Sequence, residues 1–148
     1  MLATPCGWMT NLLNAVAALA FLAGAGPAEA TVAFDWVSVG DAGNAVDTSG
    51  YGAVTYSYRV SKYEVTNDQY TEFLNAVDPT GTNPNSIYNA MMGSGARGGI
   101  NFDSGAAEGA KYSAKTDMGG KPVNYVSFFD AMRFVNWLHN GQGGDGTE

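Results

Sequence analysis

The chain has 148 residues, of which 14 are acidic and 7 are basic, so its formal net charge is −7. An acidic chain without a dense basic patch cannot neutralise a phosphate backbone well, so nucleic acid is excluded as an expected partner. Aromatic residues make up 12% of the sequence and glycine contributes 20 residues. This composition favours one folded, loop-rich domain over a disordered chain.

The first thirty residues predict a secretory signal peptide. Residues 11–26 form an apolar run that is short for a membrane span, and Ala28, Glu29 and Ala30 follow as an A-x-A cleavage site. We therefore expect cleavage after Ala30 and a domain over residues 31–148 that is secreted, periplasmic or at the cell surface, with no membrane span. The first basic residue is Arg59, so the usual charged n-region is missing and a buried N-terminal helix is the alternative.

Alternating apolar residues predict two strands, over residues 33–40 and 53–65. After Ser61 the alternation slips by one residue, which predicts a bulge near Ser61–Lys62. The loop between the strands has three oxygen-bearing side chains spaced by three: Asp41, Asn44 and Asp47. Asx turns account for this pattern, and because the spacing is not that of an EF-hand, calcium binding is the weaker alternative.

A helix is predicted directly after the second strand. Thr66 has the character of an N-cap, and Gln69 completes a capping box with it. Four apolar residues then recur at helical spacing, at Tyr70, Phe73, Leu74 and Val77. The sequence Asp78-Pro79 predicts the end of this helix, because the residue before a proline disfavours helical geometry.

Residues 78–120 show no clear periodicity and are predicted to be a long irregular loop. A short strand is then predicted over residues 122–126. Ser127 and Asp130 form a second capping box, which starts a helix whose broad apolar face reaches Leu138. This face predicts that the second helix is buried on most sides.

Single residues with reactive side chains have simpler structural explanations. The only cysteine, Cys6, lies in the predicted signal peptide, so the domain would have no disulfide and no thiolate nucleophile. The only histidine, His139, is a possible base or metal ligand, but its place near a helix C-terminus is favourable without either role. The acidic pairs Asp41/Asp47 and Glu64/Asp68 are possible acid–base pairs, although most acidic residues are simply solvated. The aromatic residues are more typical of a core than of a sugar-binding face.

Two stretches together resemble the sulfatase-modifying-factor domain, the family of the formylglycine-generating enzyme. They are "YRVSKYEVTNDQYTEFLNAV" at residues 58–77 and "KPVNYVSFFDAMRFVNWLHNGQ" at residues 121–142. The resemblance carries with it an α+β fold that is irregular and loop-rich, of a kind related to C-type lectin-like folds. Because the second helix has nothing after it to cover its apolar face, we expect this chain to be the N-terminal portion of such a domain, incomplete at the C-terminus.

The resemblance also implies an activity. The family enzyme oxidises a sulfatase cysteine to formylglycine with oxygen and a copper-binding cysteine pair, which lies with the family's calcium sites in the C-terminal half. No catalytic, cofactor-binding or metal residue of the family can therefore be assigned to a residue of this chain. The hypothesis we favour is a non-catalytic binding or scaffold domain with a protein or glycan ligand. The alternatives are the N-terminal half of an active oxidase and an unrelated carbohydrate-binding module.

Overall fold

The computed structural model describes residues 32–148, so the predicted signal peptide lies outside the described residues. Four short strands and three helices follow one another along the chain: β1 (Trp36–Val39), β2 (Tyr58–Ser61), α1 (Asn67–Val77), α2 (Met91–Ser94), β3 (Ile100–Phe102), β4 (Tyr112–Ala114) and α3 (Phe128–His139). The strands form two separate antiparallel hairpins, β1–β2 and β3–β4. The predicted α+β, loop-rich class is confirmed. Within residues 32–148, no helix is long and apolar enough to cross a membrane.

Helix α1 has the start and end that the sequence predicts. The Thr66 hydroxyl accepts the backbone N–H of Gln69, and the Gln69 side chain accepts the backbone N–H of Thr66. The predicted apolar stripe is buried, with Phe73 and Leu74 fully inaccessible. Asp78 closes the helix, and its backbone N–H donates to the carbonyl of Leu74. This helix is therefore set by its local sequence and held by one buried face.

Helix α3 also begins with its predicted capping box, between Ser127 and Asp130. It packs on α1 through aromatic rings. Phe134 and Trp137 each lie 5.4 Å from the ring of Phe73, and Phe134 lies 5.8 Å from the ring of Tyr70. The prediction that α3 is buried on most sides is wrong. Its opposite stripe is open, with Phe128 73% and Val135 59% exposed, because no other described element packs against that side.

The first hairpin is shorter than the two predicted strands. Residues 53–56 leave it because the backbone N–H of Val54 donates to the Asn44 side chain and its carbonyl accepts from Gly43. The predicted bulge is also wrong. Trp36 pairs with Ser61, and the ladder continues in the same register to the bond from Lys62 N–H to the Asp35 carbonyl.

Residues 78–120 contain three short elements that the sequence did not reveal: α2, β3 and β4. Asp78 organises the start of this segment. Its carboxylate is 3% exposed and accepts the backbone N–H groups of Thr82 and Asn83 and the hydroxyl of Tyr112. The segment is therefore fixed by side chain to backbone bonds rather than by periodic apolar packing.

The strand predicted over residues 122–126 is reduced to a single bridge between Pro122 and Thr66, supported by a bond from Val123 N–H to the Val65 carbonyl. Tyr125 has φ +64°, a left-handed conformation that no strand residue adopts. The extended run therefore ends before Tyr125, although the alternation in the sequence continues through Val126.

Candidate functional site

A cleft opens beside the junction that leads from β2 into α1. It encloses about 500 Å³ and is formed by three segments: residues 33–35, residues 63–69 and residues 120–122. Nine residues line it: Ala33, Phe34, Asp35, Tyr63, Glu64, Thr66, Gln69, Gly120 and Pro122. A cavity of this size is in the range of small-ligand sites, so we take this junction cleft as the candidate site.

The floor of the junction cleft is rigid because the cap of α1 also joins the neighbouring segments. Gln69 uses its carbonyl oxygen in the capping box and donates its amide to the carbonyl of Ala33, 3.0 Å away. The bridge between Thr66 and Pro122 fixes the third segment. The polar groups of Thr66 and Gln69 are thus occupied in holding the scaffold together.

Asn67 supports the cleft from beneath and was not identified from the sequence. It is 1% exposed, and its amide donates to the carbonyls of Met118 and Lys121, at 2.8 and 3.0 Å. Gly99 lies so close that a Cβ there would fall 2.3 Å from the Asn67 amide nitrogen. An asparagine directly after an N-cap is not needed for capping, and that was the available signal that it has a tertiary role.

The walls of the junction cleft provide a different chemistry from its floor. Asp35 and Glu64 contribute carboxyl groups, Tyr63 a 62% exposed phenol, and Phe34 a half-buried ring. None of the three polar wall side chains forms a hydrogen bond within residues 32–148. The Lys62 ammonium lies over one face of the Tyr63 ring, 5.3 Å from its centre, which is within the range of a cation–π contact. The walls can therefore accept hydrogen bonds and stack on a ligand.

The described residues that line the cleft form no arrangement for nucleophilic catalysis. Among these nine residues the hydroxyl groups are those of Tyr63 and Thr66, and the Thr66 hydroxyl accepts the backbone N–H of Gln69 in the capping box. None of the nine is serine, cysteine, histidine or lysine. An activated nucleophile needs an adjacent base that is itself oriented by a third group.

Most of the acidic residues singled out from the sequence, and the histidine, lie outside this cleft. Glu64 lines it, but its predicted partner Asp68 lies against Gly119 instead. Asp41 lines a separate cavity of about 130 Å³ on the first hairpin. His139 is exposed in the last turn of α3.

The Asx loop has the structural role that its sequence suggested. The Asp47 carboxylate accepts the hydroxyl and the backbone N–H of Ser49 and the backbone N–H of Tyr51. These bonds lower the pKa of Asp47 below its ordinary value, and the bond from the Ser49 hydroxyl has the largest effect. Across residues 32–148, no three histidine, cysteine or acidic side chains converge in a way that would hold a metal ion.

The sequence of the chain matches a known protein family. A family model described as the sulfatase-modifying factor enzyme 1-like domain matches residues 37–140. The matched region contains both capped helices, the second hairpin and all of the first except Trp36. It includes the β2–α1 junction beside which the cleft opens, whereas the cleft residues Ala33, Phe34 and Asp35 precede it. Comparison with curated proteins and with solved structures gave no match.

Proposed function

The chain belongs to the sulfatase-modifying factor enzyme 1-like domain family, and on that premise we propose that it is a non-catalytic binding or scaffold domain that acts outside the cytoplasm. The observation that carries the proposal is the junction cleft. Its scaffold groups are tied to one another, whereas Asp35, Tyr63 and Glu64 on its walls are free for a ligand. A rigid floor with free polar walls is what a pre-organised binding site requires.

The copper chemistry associated with the family does not fit the residues present. A copper-binding cysteine pair needs two thiolates, and the sequence has one cysteine, Cys6. Within the described part of the chain, no cluster of three histidine, cysteine or acidic side chains offers an alternative ligand set. We therefore assign no oxidation step to these residues, and the proposal rests on binding.

The proposed location and ligand class rest on two further arguments. The predicted signal peptide over residues 1–30 supports export to the periplasm, the cell surface or the medium. The relation to C-type lectin-like folds, which the family resemblance implies, supports a protein or glycan ligand. Both ligand classes suit a cleft that offers an aromatic ring beside carboxyl groups.

Glycan and peptide arrays probed with the 148-residue chain test the proposal. We expect at least one ligand to be retained by the wild-type chain and lost by Tyr63→Ala. Tyr51→Ala is the matched control, because Tyr51 is 78% exposed and does not line the cleft. Silence on both arrays, or equal binding by the two variants, would contradict a binding role for the cleft.

Membership of the family favours one second candidate, a formylglycine-generating oxidase of which these residues form the N-terminal half. That candidate requires a cysteine pair that the 148 residues do not supply. The test is to sequence the gene beyond the codon for Glu148. We expect no pair of closely spaced cysteines there, and such a pair in an open reading frame would favour the oxidase instead.

A further inference from the structure

The β1–β2 hairpin has an unpaired edge along β1. In an antiparallel ladder, hydrogen-bonded pairs alternate with non-hydrogen-bonded pairs. Because Lys62 N–H bonds the Asp35 carbonyl, the register places the next hydrogen-bonded pairs at Val37↔Val60 and Val39↔Tyr58. The backbone groups of Trp36 and Ser38 therefore point away from β2, and within residues 32–148 they have no hydrogen-bond partner.

The β1 edge lacks the features by which proteins usually block such edges. Its four residues, Trp36–Val39, include no proline, no charged side chain and no bulge. The edge of β2 differs, because Arg59 lies on it and Lys62 follows it. The chemistry of the β1 edge, alternating N–H and C=O groups with uncharged side chains, fits another extended, uncharged strand.

One face of the hairpin is apolar and open as well. Cross-strand partners share a face, so Val37 and Val39 lie beside Val60 and Tyr58. All four are at least 36% exposed. A two-stranded sheet without a third strand or a covering layer is marginally stable in water, so both the edge and this face gain from an added strand.

We propose that the β1 edge pairs with β1 of a second copy of this chain, which goes beyond the binding function assigned to the cleft. In the two-fold antiparallel register centred on Val37, the outward-facing Trp36 of one copy exchanges hydrogen bonds with Ser38 of the second copy. Val37 then lies opposite Val37 of the second copy. The result is a four-stranded sheet, β2–β1–β1–β2, whose apolar face is continuous across the two-fold axis.

The charges favour a second copy at this edge and disfavour pairing through β2. In the proposed register Val39 lies opposite Asp35 of the second copy, so the strands bring no like charges together even though each chain has a net charge of −7. Pairing of β2 with itself, centred on Val60, would place Arg59 diagonally across from Arg59 of the second copy on the same face, which is unfavourable. The second copy is therefore expected on β1.

A pair of lysine variants tests both the interface and its register. Val37→Lys places two ammonium groups opposite each other, whereas Val39→Lys, on the same strand and face, places an ammonium opposite Asp35 of the second copy. By sedimentation velocity of the full 148-residue chain over a concentration series, we expect a wild-type dimer. We expect Val37→Lys to weaken it by roughly tenfold or more and Val39→Lys to leave it as tight or tighter.

A third variant separates edge pairing from loss of the hairpin. Ser38→Pro removes only an outward N–H, because the ladder to β2 uses Val37 and Val39, so we expect a monomer with unchanged circular dichroism. A wild-type chain that is monomeric at all concentrations would overturn the proposal. So would a dimer that Val37→Lys and Ser38→Pro leave intact, since that dimer would form through another part of the chain.

Discussion

Replacement of Asp78 by alanine is expected to remove the main polar support of the segment between α1 and β4. The Asp78 carboxylate is buried and accepts three strong hydrogen bonds, from the backbone N–H groups of Thr82 and Asn83, at 3.0 and 2.9 Å, and from the Tyr112 hydroxyl. Each donor left unsatisfied in a buried site costs about 1–3 kcal/mol. Because water can enter to bond some of them, we expect a total loss of about 4 kcal/mol in the free energy of unfolding.

The matched variant Tyr112→Phe removes one of these donors and leaves the carboxylate bonded to the backbone. We expect it to cost about 2 kcal/mol, the value of one hydrogen bond to a charged acceptor. Urea unfolding of the full chain followed by circular dichroism measures both losses, and the double variant should cost less than their sum because the two groups interact. A loss below about 1 kcal/mol for Asp78→Ala would refute the assignment of Asp78 as a buried organiser.

Three further predictions concern other parts of the fold. Gly99→Ala should destabilise the chain by about 2 kcal/mol or more in the same urea assay, because the added Cβ would overlap the Asn67 amide; unchanged stability would contradict the packing of these residues. Burial raises the pKa of Tyr70 and of Tyr112, the latter with help from the hydrogen bond to Asp78. A raised folded-state pKa gives stability that is complete below the unfolded tyrosine pKa of about 10 and is lost as pH rises above it. The melting temperature should therefore fall above about pH 10, and it should fall less in Tyr70→Phe than in the wild-type chain. An equal fall in the two proteins would refute the burial of Tyr70 as a cause. Finally, Val135→Asp on the open stripe of α3 should lower the binding of a hydrophobic dye without lowering the melting temperature; a loss of several degrees would show that the stripe is covered.

The elements that could be predicted from the sequence are those encoded by neighbouring residues. The caps at Thr66 and Ser127, the stripe of α1 and the helix end at Asp78 depend on residues within one or two turns, and all are confirmed. The position of the strands could not be predicted in the same way. Residues 53–56 alternate like a strand, but the backbone N–H of Val54 donates to the Asn44 side chain. These residues therefore do not pair with β1.

The candidate site could be predicted only in part, because its walls come from distant segments. The sequence singled out the junction at Glu64 and Thr66, which the family resemblance also uses. It gave no indication that residues 33–35 and 120–122 would meet there, since their approach depends on the Gln69 side chain bond to Ala33 and on the single bridge at Pro122. Asn67 was missed for the same reason, because its bonds reach residues more than fifty positions away.

The most direct test of the central claim is to map where a ligand from the arrays binds, by amide chemical-shift changes in the isotope-labelled 148-residue chain. We predict that the largest shifts fall on residues 33–35, 63–69 and 120–122, around the junction cleft. Shifts centred elsewhere, on the open stripe of α3 or on the Asx loop, would contradict the assignment of the cleft as the functional site.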